Sequence, residues 1–107
     1  MAAPHGMSEG REFAEAEWMA GWIALRQHDN PARALTHFET LLEGVGTPSS
    51  LSRAHYWIGR AKDAFQDEAG ANAAYMAAAN YPFTYYGQLA SELAAQRVID
   101  LPNPVAV

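Results

Sequence analysis

The stretch Ala54–Pro82, AHYWIGRAKDAFQDEAGANAAYMAAANYP, constrains the fold of this chain more than any other. Gly59, Ala71, Tyr75 and Ala78 stand at offsets 0, 12, 16 and 19, and Pro82 closes the unit. That spacing is close to the register of a helix–turn–helix repeat of about 34 residues, in which a small residue on the first helix lets the second pack tightly. A weaker copy lies upstream around Trp18–Phe38. There Trp22 and Phe38 take the parts of Trp57 and Tyr75 with two fewer residues between them, which predicts a period of about 35 residues. Such hairpins stack into a curved wall, and walls hold or position things more than they react with them. The predicted fold class is therefore all-α: helical hairpin repeats forming an α-solenoid segment of about five helices.

The first helix is predicted over Ser8–Gln27, with Ser8 as its cap and Glu9, Glu12 and Glu15 in its early turns, where carboxylates suit the positive end of the helix dipole. Trp18, Trp22 and Leu25 share one edge, and Ala20, Gly21 and Ala24 cover much of the rest with small side chains. Asn30-Pro31 reads as a cap followed by proline at the first helical position. The second helix carries the stripe Ala34, Leu35, Phe38, Leu41, Leu42, Val45 and ends at Gly44 and Gly46. Thr47-Pro48 repeats the capping device and opens a third helix with the face Leu51, Ala54, Ile58, Ala61, Phe65. Asp67 caps an alanine-rich fourth helix broken at Asn80-Tyr81-Pro82, and a fifth runs from about Thr84 to Val98 with Tyr86, Leu89, Ala90, Leu93 and Arg97 on one stripe. The organisation predicted is an N-terminal extension and helix start over 1–12, a helical repeat domain over 13–98 and a C-terminal tail over 99–107. No segment alternates, so no sheet is expected.

At 107 residues the chain has room for one modest core, and 50% apolar with 18% charged residues is a globular balance. A net charge of −5, with seven scattered basic residues, argues against a nucleic-acid partner. No apolar run approaches the roughly 20 residues that span a bilayer, and no secretory signal is visible at the N-terminus. The absence of cysteine removes disulfides, zinc-thiolate sites and thiol nucleophiles together.

Candidate chemistry is sparse. His5, His28, His37 and His55 form no i, i+4 pair, so they read as ordinary histidines, with no metal and no cofactor expected. The carboxylates of Glu9, Glu12, Glu15 and Glu17 suit a solvated helix start, and Glu39/Glu43 is a like-charge i, i+4 pair. A general acid needs an apolar or like-charged enclosure, and nothing in the pattern supplies one, so no catalytic residue is expected. The aromatics Trp18, Trp22, Tyr56, Trp57, Tyr75, Tyr81, Tyr85 and Tyr86 have the composition of a sugar-stacking or peptide-binding lining, although their helical spacing makes most of them core. Tyr85 and Tyr86 point about 100° apart on a helix, so at most one is buried and the other is the candidate functional surface aromatic.

Four stretches in order, EWMAGWIALR (Glu17–Arg26) with DNPARALTHF (Asp29–Phe38), GVGTPSSLSRAHYWIGRA (Gly44–Ala61) and YPFTYYGQLASE (Tyr81–Glu92), resemble the helical superstructure of soluble lytic murein transglycosylases over roughly Phe13 to Leu93. The resemblance implies a non-catalytic segment of a ring-shaped periplasmic scaffold. In that family a separate lysozyme-like domain cleaves the glycan between N-acetylmuramic acid and N-acetylglucosamine, using a glutamate followed by serine. This chain has no Glu-Ser pair, and Ser91-Glu92 has the reverse order, so no catalytic residue carries over. The partners implied are peptidoglycan or the catalytic domain of a parent protein. The alternative is a free-standing tetratricopeptide-like interaction module, which would be expected to carry polar residues along its inner helices, where this sequence offers mainly Ala, Trp and Gly. Repeat walls usually need three or more units and polar caps, so marginal stability and self-association are expected.

Overall fold

The computed structural model describes the backbone of residues 2–100 and the side chains of residues 12–96. Five α-helices follow one another without a strand among the described residues: α1 (Ala2–Arg26), α2 (Pro31–Gly44), α3 (Pro48–Ala64), α4 (Glu68–Ala79) and α5 (Tyr85–Asp100). The fold is all-α and built of helical hairpins. α1 pairs with α2 and α3 with α4, α2 meets α3 across the hairpin junction, and α5 packs on both α4 and α3. The chain therefore forms two layers, the first helices α1, α3 and α5 and the second helices α2 and α4.

The helix starts are fixed by local chemistry. Asn30, Thr47, Asp67 and Thr84 each turn a side-chain oxygen onto the backbone N–H three residues on, at 3.2, 3.2, 3.1 and 2.9 Å, satisfying a donor that the first turn leaves unpaired. Pro31 and Pro48 follow two of these caps where no N–H is needed. α1 departs from the sequence expectation. It starts at Ala2, not at Ser8, so Ser8 lies inside the helix and does not cap it. Pro4 does not prevent this, because a first-turn residue needs no intrahelical N–H bond. At the other end α5 runs to Asp100, past the predicted stop at Val98 and through the first two residues of the tail predicted over 99–107, and the rest of that tail lies outside the described residues.

The two hairpins repeat, with a register different from the predicted one. A Cβ placed on Gly59 would lie 2.5 Å from Cε1 of Tyr75, and one on Gly21 would lie 2.5 Å from Cε1 of Phe38. Gly21 thus corresponds to Gly59, 38 residues on, and Phe38 to Tyr75, 37 residues on. Asn30 corresponds to Asp67 and Thr47 to Thr84, also at 37. The period is 37–38 residues, not 35, and Trp22 is not the counterpart of Trp57. The first connection is one residue longer than the second, residues 27–30 against 65–67. The extra residue widens the turn, whose closing bond runs from Asn30 N–H to Ala24 O, where the second closes from Asp67 N–H to Lys62 O. Both turns pass through a left-handed residue, Asp29 (φ 51°) and Gln66 (φ 68°).

Phe38 and Tyr75 are fully buried and anchor one continuous core with Ala34, Tyr56, Trp57, Ile58, Ala61, Ala71, Ala78 and Ala90. Full burial of each of the two rings is worth about 1.5–3 kcal/mol. A smaller cluster of Ala14, Leu41 and Ala54 ties α1 to α2 and α3.

Candidate functional site: an aromatic and arginine face

The first-helix layer carries an unbroken row of rings. Trp22 stacks on Trp18 (centroids 6.3 Å apart), and Trp18 meets Trp57 edge-on across the α1–α3 junction at 6.1 Å. Trp57 then meets Tyr56 at 5.5 Å, Tyr56 meets Tyr86 of α5 at 5.3 Å, and Tyr86 meets Tyr85 at 4.9 Å. Phe38 and Tyr75 branch from this row into the core, touching Trp57 at 6.0 Å and Tyr56 at 5.7 Å. Helical spacing explains the row: Trp18 and Trp22 are one turn apart, and adjacent Tyr56 and Trp57 face different neighbours.

Three arginines lie over these rings. The Arg53 guanidinium stands 5.1 Å from the Trp18 ring and donates to a Glu15 carboxylate oxygen at 3.2 Å. Arg60 stands 5.2 Å from Trp57 and 5.8 Å from Tyr56, and its Nη1 donates to the Tyr56 hydroxyl at 3.0 Å. Arg26 lies 5.9 Å from Trp22. Each such contact is worth roughly 0.5–1 kcal/mol where exposed and about 2 where desolvated. The exposed ion pair adds about 1 kcal/mol at most. The stacking also holds each planar guanidinium in place, which prepares it for a carboxylate or other oxygen acceptor.

Next to Arg60 the Tyr75 hydroxyl donates to Asp63 at 2.8 Å. Burial first, and then that hydrogen bond to Asp63, push the Tyr75 phenol above its usual range, so it stays protonated. The indole N–H groups of Trp18 and Trp57 are buried without a hydrogen-bond partner among the described residues.

The two candidate tyrosines lie at the α5 end of the row. Tyr85 is 71% exposed, while Tyr86 is half-buried against Tyr56. Tyr56, Trp57 and Tyr75 are buried, and Trp18, Trp22 and Tyr81 are half-buried. The arginines are the part that sequence reasoning missed. Arg26, Arg53 and Arg60 form no run in the chain; Arg26 and Arg60 each lie about one turn from their rings on the same helix, and only Arg53 reaches its ring, Trp18, across the α1–α3 contact. The available signal was helical spacing, with Arg26 four residues after Trp22 and Arg60 four and three after Tyr56 and Trp57. Arg97, assigned to the α5 stripe, lies outside the described side chains, as do His5 and Glu9.

The remaining histidines lie elsewhere. His37 Nδ1 is 2.9 Å from Glu17 Oε1, and half-buried His55 has its pKa lowered by desolvation. Among the described residues no three His, Cys, Asp or Glu side chains are placed to hold a metal ion, and no helix is long and apolar enough to cross a membrane.

Set beside known proteins, the chain matches no family model, no curated protein and no solved structure.

Proposed function

We propose that this chain is a non-catalytic, tetratricopeptide-like scaffold segment whose first-helix layer holds an extended ligand. The observation that carries this reading is the row Trp22–Trp18–Trp57–Tyr56–Tyr86–Tyr85 crossing three helices, overlaid by Arg26, Arg53 and Arg60. Partly exposed rings stack on the apolar faces of sugars, and arginines bind the carboxylates that murein carries. Together with the ordered sequence resemblance, this favours a murein glycan strand as the ligand, held for a lysozyme-like catalytic domain in the periplasm. Cleavage belongs to that other domain in this reading.

The arginines also favour a second reading, a peptide-binding module. They supply polar residues along the first-helix layer, and their charge selects an acidic peptide.

Co-sedimentation with isolated murein sacculi separates the two. Under the first reading the chain pellets with the sacculi, releases no anhydro-muropeptides above a heat-killed control, and pellets less as Tyr85→Ser or Arg60→Ala. If the chain stays in solution but binds an acidic peptide, the second reading stands. Release of anhydro product overturns the non-catalytic assignment.

A further inference from the structure

A second site lies away from the aromatic face, in a cleft of about 540 Å³ between α1 and α2. Its size falls within the range of small-molecule sites, about 300–1,000 Å³. Ala20, Ile23 and Ala24 of α1 supply an apolar wall. His28 and Asn30 of the connection and Arg33 and His37 of α2 supply the polar one. The Asn30 side chain is engaged by the Arg33 backbone N–H, and His37 Nδ1–H by the Glu17 carboxylate, so His37 Nε2 meets a ligand as an acceptor for an acidic O–H when the ring is neutral and as a donor when it is the imidazolium.

The internal repeat shows what is special about this cleft. In register, Ala20, Ile23, Arg33 and His37 correspond to Ile58, Ala61, Gly70 and Ala74 of the second hairpin. There Ile58, Ala61 and Ala74 are buried in the core cluster that also holds Ala34 and Phe38 of α2. The second hairpin keeps one basic side chain at this place, Lys62, whose Cδ would lie 2.9 Å from a Cβ on Gly70. In the first hairpin Ala20 and Ile23 exchange the large and small apolar positions of Ile58 and Ala61, and Arg33 and His37 stand where the second hairpin has the small Gly70 and Ala74, which makes the place polar. Two imidazoles and a guanidinium beside an apolar wall, on a chain of net charge −5, match an anion with an apolar body.

We propose that the α1–α2 cleft binds a small organic anion, its acidic head on His28, Arg33 and His37 and its apolar body on Ala20, Ile23 and Ala24. The site is independent of the aromatic face and does not rest on the murein reading.

The test is a titration of the intact chain, followed by the histidine C2–H proton signals, with hexyl phosphate, inorganic phosphate and hexanol. Hexyl phosphate shifts the His28 and His37 signals saturably and binds at least about tenfold more tightly than inorganic phosphate, because several methylenes leave water. Arg33→Ala weakens hexyl phosphate by about tenfold, the scale of one charge-assisted contact. Arg33 is exposed, so the variant keeps the fold, which its helical circular dichroism checks. Anionic phospholipid vesicles that carry the chain in flotation assign the head group to a membrane surface, and vesicles that leave it behind assign it to a free solute. The proposal is overturned if no probe gives a saturable shift, if hexanol binds as well as hexyl phosphate, or if Arg33→Ala binds unchanged.

Discussion

The ring of Tyr75 occupies the space that a side chain on Gly59 would need, with Cε1 2.5 Å from the position of an added Cβ. Tyr75 is fully buried and bonded through its hydroxyl to Asp63, so the ring cannot swing away cheaply. Gly59→Ala gains roughly 1 kcal/mol of helix propensity. It also forces overpacking that costs typically 1–3 kcal/mol, and more where the neighbours are fixed. Net destabilisation of up to about 2 kcal/mol is expected from urea unfolding. Gly46→Ala is the control, because nothing lies within 4 Å of its added Cβ, and its midpoint should not fall.

The same comparison between hairpins identifies an exchangeable polar pair. Tyr75 and Asp63, joined at 2.8 Å, correspond in register to Phe38 and Leu25. One hairpin thus joins its helices here with a hydrogen bond and the other with apolar groups. Losing a hydrogen bond to a charged group costs about 1.5–3 kcal/mol, whereas replacing both partners with apolar groups can be nearly neutral. Tyr75→Phe and Asp63→Leu should each lower stability by at least about 1 kcal/mol, and the double variant should cost clearly less than their sum. Additive losses in the cycle would show that the pair is not a unit.

The turns offer a stabilising change. Gln66 sits at φ 68°, in the left-handed region that costs a residue with a Cβ roughly 1–2 kcal/mol. Gln66→Gly relieves that strain but gives the unfolded chain more freedom, for a net gain of about 0.5–1 kcal/mol. Asp29, at φ 51°, belongs to a residue type that tolerates this region better, so Asp29→Gly should gain less. Thermal midpoints of the two variants check the order.

What the sequence revealed, and what it concealed, follows from the range of the interactions. The caps Asn30, Thr47 and Asp67 were legible because each satisfies a donor three residues away. The packing of Tyr75 over Gly59 was legible because helical spacing fixes it within one hairpin. The register between hairpins was not, because it depends on one additional residue in the 27–30 connection, and the tryptophans offered a tempting false alignment of Trp22 with Trp57. Of the arginine overlay, Arg26 over Trp22 and Arg60 over Tyr56 and Trp57 are one-turn contacts within a helix that the spacing already contains, whereas Arg53 over Trp18 arises only where α3 meets α1. The cleft between α1 and α2 was not legible, because its lining comes together from two helices and the connection between them.

His55 gives the fold a pH dependence. Its burial disfavours the charged imidazolium, which holds its pKa below the ordinary 6.5 in the folded state. Between the two pKa values the unfolded chain binds more protons than the folded one, so stability falls as pH drops below about 6.5 and this loss levels off below the folded pKa. The urea midpoint should therefore be lower at pH 5 than at pH 7.5, and His55→Gln should shrink that difference. An unchanged difference would assign the pH dependence to other groups.

Exposed apolar side chains bear on association. Phe83 is 97% exposed beside Tyr81, Pro82 and Pro48, and Met76 and Tyr85 are 63% and 71% exposed. A side chain this open contributes almost nothing to folding, but on the surface it supplies area for contact between copies. Phe83→Ser should leave the urea midpoint within about 0.5 kcal/mol of the parent. If copies associate through this corner, the same variant shifts the sedimentation-velocity distribution toward the monomer at high concentration. Association that persists unchanged in Phe83→Ser would place the contact elsewhere, with Met19 of α1, 46% exposed on the opposite hairpin, the next residue to replace.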